Sequence, residues 1–404
     1  MSMIEDVVLR RVLDSRGNPT VEAEVYTTSG YGRAMAPSGA STGVHEVKAF
    51  PDGGVDAGIS FFTEKARPKL LGMDALDQAG VDSLLHEVDG SENFSNMGGN
   101  TAVAVSLAVA KAAASVLDIP LYRYIGGLGV FSHTDFPRPL GNVIGGGKHA
   151  VGGTDIQEFL AIPLSGNASE TVFANARIHS VVKGILRKRL PGVALGKGDE
   201  GAWVVPLSNT EALEVLCEAC KTVSEETGLE IRPSLDMAAS ELYRDGKYVY
   251  KERTLSPGEQ IDFVVSLVED YGLHIVEDPL EQEDFEGYRE LTKKIGHRAI
   301  ILGDDIFVTN VKRIKKGVEM GACNAVLIKP NQIGTLTDTL RAVELAHRNG
   351  YRTVVSHRSG ETTDESIAHI AVGVGAYAIK TGVVGGERIA KLNELIRIEG
   401  DMRR

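Results

Sequence analysis

Cysteine is scarce in this sequence, and its scarcity excludes one class of protein. Three cysteines in 404 residues, Cys217, Cys220 and Cys323, cannot form a disulfide framework and fit a reducing compartment. Cys217 and Cys220 make a CxxC within TEALEVLCEACKTVSEE, a stretch whose periodicity indicates an amphipathic helix. Because no second pair of ligands lies nearby, we interpret them as two thiols on one helix face rather than as a metal or redox site.

Long apolar segments and positive charge are also in short supply. The first residues, MSMIEDVVLRRVLDSRG, carry acids and lack the apolar core of a signal peptide. The longest apolar stretch, TAVAVSLAVAKAAASVL, is interrupted by Lys111 and predicts a buried helix rather than a bilayer span. A formal net charge of -12 disfavours nucleic acid, although a local cluster of cations can still bind a small anion. We therefore expect a cytoplasmic protein without a membrane or nucleic-acid partner.

What the sequence does contain is the pattern of two domains. Strand-like runs within VVLRRVLDSRG and TVEAEVYTTSGYGRAMAPSG come first, and helical patterns follow over about residues 58–85 and 100–124. Strands followed by helices predict an α+β domain. The segment 126–139, GGLGVFSHTDFPRP, is rich in Gly and Pro and marks the best boundary. We thus expect an N-terminal α+β capping domain over residues 1–130 and a catalytic barrel domain over residues 131–404.

In the second part, short apolar runs alternate with amphipathic helical stretches. Eight runs are strand-like: LGNVIGG, IQEFLAIP, LEIRPSLDMA, LHIVEDP, AIILGDDI, AVLIKPN, TVVSHRS and YAIKTG. Strands that alternate with helices predict a closed parallel β/α barrel. Only a glycine-rich loop separates the first two runs, and two helical stretches then follow, around residues 170–189 and 210–227. We therefore expect the start of the barrel to depart from a plain eightfold repeat.

Six of these runs end in a charged or polar residue where an apolar residue would extend the strand. From the second of the six onward they are 27, 25, 28 and 23 residues apart, about one βα unit each. Such spacing puts their side chains at the end of the barrel where β/α-barrel active sites lie. The six residues are Asp236, Glu277, Asp304, Lys329, His357 and Lys380.

Three of the six are carboxylates on adjacent strands, namely Asp236, Glu277 and Asp304. Converging carboxylates repel one another unless a cation joins them, and oxygen ligands without His or Cys suit Mg²⁺. The alternative is a structural ion-pair cluster with Lys329 and Lys380. Beside bound Mg²⁺ the two lysines would have a lowered pKa, and a neutral lysine could act as a general base.

Two glutamates and two glycine-rich stretches complete the set of candidates. Glu158 lies in DIQEFLAIP, and Glu200 lies in GKGDEGAW, which also contains a GxGxxG pattern. Because Asp199 and Glu200 would direct negative charge at a pyrophosphate, we interpret this stretch as a loop that presents Glu200 rather than as a nucleotide site. The small, polar loop PSGASTGVHE, residues 37–46, is typical of a lid that closes over a site.

These candidates stand within longer stretches that run over nearly the whole chain. In order, the stretches are DSRGNPTVE, SGASTGVHE, SLAVAKAAA, QEF, GDEG, LDMAASE, EDPLEQED, DDIFVTN, IKPNQIGTLT, SHRSGET, IKTG and AKLNELIRIE. In this order they resemble the enolase family. The resemblance implies a barrel of the ββαα(βα)6 type. It also implies a magnesium-dependent lyase that interconverts 2-phosphoglycerate and phosphoenolpyruvate in glycolysis and gluconeogenesis.

The resemblance also implies roles for the metal ligands and the substrate-binding residues. Two Mg²⁺ ions are expected in each active site, the second arriving with the substrate. The first would be held by Asp236, Glu277 and Asp304, and Ser41 would help to bind the second. The residues that would position the substrate are His149, Gln157, His357, Arg358, Ser359 and Lys380.

The same resemblance implies the residues that move protons. Lys329 would remove the C2 proton, and Lys380 would stabilise the doubly charged carboxylate that forms. Glu200, with Glu158 beside it, would protonate the departing C3 hydroxyl. Like-charge repulsion between the two glutamates is expected to raise the pKa of one of them, so that a carboxylic acid is available near neutral pH.

Three stretches depart from the family pattern: GDEGAW for GDEGG, Gly145 in place of Asn, and VVGGER after Lys380 in place of a loop with Pro and Arg. None removes a residue with an implied role. One alternative is another acid–base enzyme of the superfamily acting on a different carboxylate, against which SHRSG and SGAST argue. Another is a non-catalytic binding or scaffolding protein on this fold, which would have no reason to keep both lysines and all three carboxylates.

The resemblance finally implies an assembly. In the family, a Glu in the DSRGNPTVE strand pairs across a subunit interface with an Arg near the C-terminus, and these positions are Glu22 and Arg397 here. We therefore expect a homodimer or a higher homo-oligomer such as an octamer.

Overall fold

Alternating apolar residues near the N-terminus form a small antiparallel sheet. The computed structural model describes residues 1–40, 43–132, 136–150 and 152–403. The sheet contains β1 (Ile4–Leu13), β2 (Pro19–Thr27) and β3 (Tyr31–Met35), paired in that order. Val21, Ala23 and Val25 alternate along β2 and are fully buried, because helices cover that face of the sheet.

The helices of this first domain follow the sheet in sequence. The first predicted helical stretch is broken at Gly72, which has a left-handed φ of 86°. The second is broken before Pro120, which lacks the N–H that a continuing helix needs. The elements are α1 (Gly54–Phe61), a π-helical turn (Phe62–Ala66), α2 (Arg67–Leu70), α3 (Gln78–Asp89), α4 (Gly99–Val116), α5 (Leu121–Gly126) and a 3₁₀ turn (Gly127–Ser132).

The apolar helix α4 packs against β2 and β3 and forms the centre of this domain. Within the part of the chain that the structure describes, it is the one helix long and apolar enough to cross a membrane, yet 83% of it is buried inside the protein. Lys111, the charge that interrupts its sequence, donates hydrogen bonds of 3.0 Å to Asp364 and 3.0 Å to Glu365 of the second domain. A buried ion pair therefore ties α4 to the barrel.

We expect Lys111→Met to destabilise the protein by about 3–5 kcal/mol, because it leaves Asp364 buried without its cation. Denaturant unfolding followed by circular dichroism measures the change. Lys315→Met is the matched control, since Lys315 and its partner Glu319 are both largely exposed and such pairs contribute about 0–1 kcal/mol. Equal stability of the two variants would contradict a stabilising role for the buried ion pair between Lys111 and Asp364.

The eight strand-like runs of the second part form a closed barrel. Its strands pair in the order given below, and the last pairs back onto the first to close the ring. The prediction of an α+β domain followed by a β/α barrel is therefore confirmed. The strands are β4 (Arg138–Gly145), β5 (Glu158–Pro163), β8 (Ile231–Asp236), β12 (Ile275–Glu277), β13 (Ile300–Gly303), β14 (Ala325–Ile328), β15 (Arg352–Ser356) and β16 (Ala378–Gly382).

Helices surround the barrel, and short strands lie in its loops. The short strands are β6 (Gly196–Lys197), β7 (Trp203–Val204), β9 (Tyr243–Arg244), β10 (Lys247–Val249) and β11 (Thr254–Leu255), with 3₁₀ turns at Gly147–His149 and Ala239–Leu242. The helices are α6 (Ala168–Arg189), α7 (Asn209–Thr227), α8 (Pro257–Tyr271), α9 (Phe285–Ile295), α10 (Val311–Met320), α11 (Pro330–Ile333), α12 (Leu336–Arg348), α13 (Ser366–Gly373) and α14 (Gly386–Met402).

The expectation of a wholly parallel barrel is wrong for one strand. β5 runs antiparallel to both of its neighbours, β4 and β8. A loop without a crossover helix joins β4 to β5, and two neighbouring strands joined in this way pair as a hairpin. Two helices, α6 and α7, then return the chain to β8, which gives the ββαα(βα)6 order.

The two-residue period of the strands decides what lies inside the barrel. On β14, Ala325 and Leu327 belong to the inner core, whereas Val326 and Ile328 pack against the surrounding helices. The next inward position is Lys329. The same alternation on the other strands builds an apolar floor beneath a polar layer, and this floor consists of Leu140, Leu160, Ile162, Ile275, Ile300, Leu302, Ala325, Leu327, Val354 and Ala378.

The predicted domain boundary at residue 130 falls between α5 and β4 and stays a prediction. Residues 133–135 of that segment lie outside the described residues.

The two cysteines of the CxxC lie on α7, and both are free thiols. Burial raises the pKa of Cys217 to about 11 and raises that of Cys220 as well. Protonated thiols are poor nucleophiles and poor metal ligands. This agrees with the interpretation of two thiols on a helix face.

Candidate active site

The polar layer of the barrel surrounds one cavity at the mouth formed by the C-terminal ends of the parallel strands. Glu158 reaches this end although its strand is antiparallel, because it is the first residue of β5. Glu277 adjoins the cavity through its contact with Lys380. The empty space between its lining residues, including the open mouth, has a volume of about 310 Å³. It is lined by Gly39, Ala40, His149, Gln157, Glu158, Glu200, Asp236, Asp304, Lys329, Ser356, His357, Arg358, Ser359 and Lys380.

Every predicted site residue except one is thus in or beside this cavity. The exception is Ser41, which lies outside the described residues. Its neighbour Ala40 lines the cavity and donates its backbone N–H to the Ser359 hydroxyl at 2.6 Å. The loop that carries Ser41 is therefore attached to the segment after β15.

Lys380, on β16, stands among three carboxylates at the barrel axis. Its ammonium donates hydrogen bonds to Asp236 at 2.9 Å and to both oxygens of Glu277 at 2.8 Å, and it lies 3.3 Å from Glu158. All four side chains are nearly or wholly buried. Burial, and then the charge of Asp236, raise the pKa of Glu277 well above its usual value.

Lys329 begins the loop after β14 and donates a hydrogen bond to Asp304. Burial opposes its charge, but the negative charge of Asp304 raises the pKa of the ammonium. Without bound metal the lysine is therefore protonated, unlike the lowered pKa expected beside Mg²⁺. Gln332 holds the other oxygen of Asp304 with a hydrogen bond of 2.9 Å, so the carboxylate orientation is fixed from two sides.

Glu158 and Glu200 face each other across His149. The His149 Nδ1 lies 3.4 Å from Glu158 and 3.6 Å from Glu200. Burial and the charge of Glu200 raise the pKa of Glu158. Burial also opposes ionisation of Glu200, but His357, His149 and Arg388 outweigh it and lower its pKa. One carboxyl of the pair thus has the expected raised pKa, and it is Glu158.

Arg358 connects the barrel to the loop of residues 37–46. Its guanidinium donates hydrogen bonds to Glu46 at 2.9 and 3.1 Å, and to Asn331 at 3.0 Å. Ser38 and Gly360 exchange two backbone hydrogen bonds nearby, of 2.6 and 2.8 Å. The described residues of this loop therefore lie against the cavity, on the side where a lid would exclude water.

The donor set of the cavity fits a hard divalent cation. Five carboxyl groups, of Glu158, Glu200, Asp236, Glu277 and Asp304, converge there against the ammonium groups of Lys329 and Lys380 and the guanidinium of Arg358, so carboxyl groups outnumber cations. Four buried polar atoms that line the cavity lack a hydrogen-bond partner among the described residues. Such atoms are costly to bury unless a ligand or ion completes them. The four are His149 Nδ1, Gln157 Oε1, Glu158 Oε2 and His357 Nε2.

Two clusters of possible metal-ligand atoms occur among the described residues, and the atoms of each cluster lie within 4.8 Å of one another. One is His149, Glu158 and Glu200, and the other is Asp278, Asp304 and Asp305. The Asp278 carboxylate accepts hydrogen bonds from the backbone N–H groups of residues 304 and 305, at 2.9 and 2.8 Å. Both of its oxygens are therefore already hydrogen-bonded to the turn after β13. Of the three predicted Mg²⁺ ligands, only Asp304 belongs to such a group, whereas the other two surround Lys380.

Several residues that contact the site were not among the predicted ones. Asn142 donates to Glu200 at 3.0 Å, and Gln332 holds Asp304. Arg388 is fully buried and donates to the His357 imidazole at 2.8 Å. Asn142 had a signal in the sequence, since it is the one amide in the strand-like run LGNVIGG, while Arg388 stands in the VVGGER stretch that departs from the family pattern.

Gly382, on β16, lets the Glu200 loop approach the barrel. A Cβ atom there would lie 2.3 Å from the Glu200 carbonyl oxygen and 3.1 Å from Arg388 Cγ. We expect Gly382→Ala to cost about 1–3 kcal/mol of stability by overpacking, and to displace Glu200. Gly386→Ala is the control, because a Cβ at Gly386 meets open space. Thermal unfolding compares the two, and an unchanged Gly382→Ala variant would refute the close approach.

The fold and the site together define a β/α-barrel enzyme whose cavity brings lysines together with acidic clusters that could hold a metal ion. Two family models match the chain, "Enolase, N-terminal domain" over residues 4–125 and "Enolase, C-terminal TIM barrel domain" over residues 133–404. The chain belongs to the enolase family. Its function is that of the family: it is a lyase, a phosphopyruvate hydratase.

Curated relatives resemble the chain over its full length. The enolase of Methanothermobacter thermautotrophicus is 56% identical, in an alignment that covers 99% of this chain and 97% of the relative. The enolase of Halorubrum lacusprofundi is also 56% identical, over 99% of this chain and 100% of the relative. That of Thermoplasma acidophilum is 52% identical, over 98% of each.

Proposed function

We propose that the cavity dehydrates 2-phosphoglycerate to phosphoenolpyruvate, reversibly, with Lys329 as the base and Glu200, beside Glu158, as the acid. One observation supports this division of roles most strongly. In the closed ring of eight strands, β14 lies directly opposite β5. Lys329 follows β14 and Glu158 begins β5, so the base and the acidic pair face each other across a bound substrate.

The two proton transfers follow from this opposition. Lys329 Nζ takes the C2 proton, and the electrons of the C–H bond move into the substrate carboxylate. Lys380 donates hydrogen bonds from one side to the oxygens on which the second negative charge develops. The C3–O bond then breaks, the double bond forms between C2 and C3, and the hydroxyl takes a proton from the Glu158–Glu200 side and leaves as water.

Mg²⁺ is the proposed metal because all of its proposed ligands are oxygens. Asp236, Glu277 and Asp304 would hold the first ion, and Ser41 would help to hold a second that comes with the substrate. When bound, Mg²⁺ supplies positive charge beside the substrate carboxylate and phosphate.

The remaining residues would position the substrate. Arg358 offers a buried guanidinium, the geometry that matches phosphate oxygens, and Ser359 stands beside it. His149, Gln157 and His357 contribute three of the buried polar atoms without a partner among the described residues. We propose that these atoms bind the substrate carboxylate and hydroxyl. The loop of residues 37–46 would close over the phosphate and exclude water.

The proposed substrate is tested by comparing 2-phosphoglycerate with glycerate, which lacks the phosphate, in the presence of Mg²⁺. Phosphoenolpyruvate is followed by absorbance of its conjugated double bond, and pyruvate, the keto product that glycerate would give, by a coupled assay that oxidises NADH. We expect turnover of 2-phosphoglycerate alone, because Arg358 and Ser359 contribute binding only when a phosphate is present. Arg358→Met should raise KM for 2-phosphoglycerate. Turnover of glycerate at a comparable rate would favour another acid–base activity of the superfamily.

We propose a homodimer as the minimum assembly, in which Glu22 pairs with Arg397 of a second copy. Within one chain Glu22 lies 3.3 Å from Arg10, and Arg397 lies 2.5 Å from Glu394, so both already have intrachain partners. We expect Glu22→Arg to weaken the dimer and Glu22→Arg combined with Arg397→Glu to restore it. Light scattering at micromolar concentration measures the mass. A wild-type monomer would refute the dimer.

We further propose that the enzyme works in the cytoplasm, without a nucleic-acid or membrane partner. The free thiols and the acidic net charge of -12 support this proposal.

A further inference from the structure

Arg388 is the largest side chain that is fully buried, and the roles proposed above do not use it. It lies in the first turn of α14, where the helix passes behind the segment that carries His357, Arg358 and Ser359. Placing a guanidinium at 0% exposure is costly unless its N–H groups are satisfied. The contacts of Arg388 therefore show what its burial achieves.

Four of the five N–H donors of Arg388 make hydrogen bonds. Nη1 donates to His357 Nδ1 at 2.8 Å and to the backbone oxygen of residue 358 at 2.6 Å. Nη2 donates to the backbone oxygen of residue 359 at 2.6 Å and to that of residue 199 at 3.1 Å. The fifth donor, Nε–H, lies 3.3 Å from the Glu387 carboxylate but makes no hydrogen bond among the described residues. One side chain thus joins the substrate-binding segment to the loop that presents Glu200.

The contact with His357 fixes the protonation of that imidazole. A guanidinium can only donate, so His357 Nδ1 must accept, and the proton of the neutral ring must stand on Nε2. Burial lowers the pKa of His357 to about 4, with the positive charge of Arg388 acting in the same direction, so the ring is neutral at neutral pH. The Nε2–H points toward Glu200, whose Oε2 lies 3.3 Å away.

The Nε2–H of His357 faces the cavity on the side of Glu200. Asn142 donates to Oε2 of Glu200 at 3.0 Å. His357 Nε2 makes no hydrogen bond to that carboxylate or to another of the described residues, so its N–H is available to the substrate. An imidazole with its proton on Nδ1 would instead turn a lone pair toward the cavity and could not donate there.

We propose that Arg388 is a positioning residue for the dehydration step, which fixes the tautomer of His357 and thereby directs its Nε2–H at the C3 hydroxyl that leaves. In this step the C3–O bond breaks, the double bond forms between C2 and C3, and the hydroxyl takes a proton from the Glu158–Glu200 pair and leaves as water. The inference rests on the proposed function, in which that pair supplies the proton. Arg388 acts through His357 and does not touch the substrate.

The test compares Arg388→Met with Lys391→Met, a matched control on the same helix. Lys391 is also buried, and it donates to Glu361 and to the backbone of residue 362 at 2.6 Å each, but it does not contact His357. Both variants lose a buried cation from α14. Only the first loses the donor to the imidazole.

Two rates are measured for each variant, exchange of the C2 hydrogen in deuterated water and formation of phosphoenolpyruvate. We expect Arg388→Met to lower phosphoenolpyruvate formation about 10- to 100-fold, by analogy with loss of the partner that orients a metal-ligating histidine, while C2 exchange changes only a few-fold. Arg388→Lys should fall between Arg388→Met and wild type. In Lys391→Met the ratio of the two rates should equal that of wild type. A parallel loss of both rates in Arg388→Met would show a structural role only and overturn the proposal.

A measurement on the wild-type protein decides the case even if Arg388→Met fails to fold. Nitrogen-15 NMR of histidine-labelled enzyme, with His357→Gln for assignment, should show His357 neutral with its proton on Nε2. A proton on Nδ1 would overturn the proposal. The NMR result is independent of turnover, so absence of phosphoenolpyruvate formation in wild type would count against the proposed function and not against the tautomer.

Discussion

Lys329→Ala is expected to abolish both exchange of the C2 hydrogen and dehydration, whereas Glu200→Gln should abolish dehydration alone. The reason is the position of each residue in the reaction. Lys329 acts on the C2 proton before the hydroxyl leaves, and Glu200 acts only once the carbanionic intermediate exists. Loss of a general acid or base typically costs about 10²- to 10⁴-fold in rate.

Proton NMR of 2-phosphoglycerate in deuterated buffer with Mg²⁺ follows the exchange. Glu200→Gln is close to isosteric and keeps a partner for Asn142 and His357, so its fold should be retained. Glu158→Gln provides a comparison, because burial gives that carboxyl the raised pKa. If Glu158 supplies the proton, Glu158→Gln will also block dehydration while exchange of the C2 hydrogen continues. Normal exchange in Lys329→Ala together with blocked exchange in Glu200→Gln would require the two roles to be reversed.

Asp304→Asn is expected to lower activity by at least about 10³-fold, and an excess of chelator should abolish activity in wild type. A divalent cation contributes several kcal/mol to stabilisation of the developing charge, and each 1.36 kcal/mol is about tenfold in rate. Asp304 is held on one oxygen by Gln332 and on the other by Lys329, so it is oriented before any metal binds.

Asp262→Asn is the control for this experiment. It makes the same change at an exposed carboxyl on α8 that does not line the cavity. Mg²⁺ titration calorimetry provides a second measurement, in which Asp304→Asn should lose affinity and Asp262→Asn should not. Full activity of wild type in excess chelator, or equal loss of affinity in the two variants, would contradict the metal assignment.

The barrel and its polar layer could be predicted because the strand period makes both visible in the sequence. A buried strand that ends in Asp, Glu, Lys or His one βα unit after the previous one leaves few other folds. Lys329 shows this well, since it occupies the inward position that follows Ala325 and Leu327. The direction of β5 could not be predicted from periodicity alone, because apolar alternation is the same for parallel and antiparallel strands.

The parts of the site that the sequence did not reveal depend on contacts between distant segments. Arg388 donates to a histidine 31 residues earlier in the chain, and it differs in no local pattern from an exposed arginine near the start of a helix. Likewise, repulsion between Glu158 and Glu200 could be foreseen, but which of them has the raised pKa depends on the positions of His149 and His357. Lys111 interrupts an apolar helix for a reason found only in the other domain.

The most direct test of the account is an absorbance assay of wild-type enzyme with 2-phosphoglycerate and Mg²⁺, run beside Lys329→Ala. The account predicts steady formation of phosphoenolpyruvate by wild type and none by the variant. Failure of the folded wild-type protein to form phosphoenolpyruvate, or undiminished formation by Lys329→Ala, would contradict it.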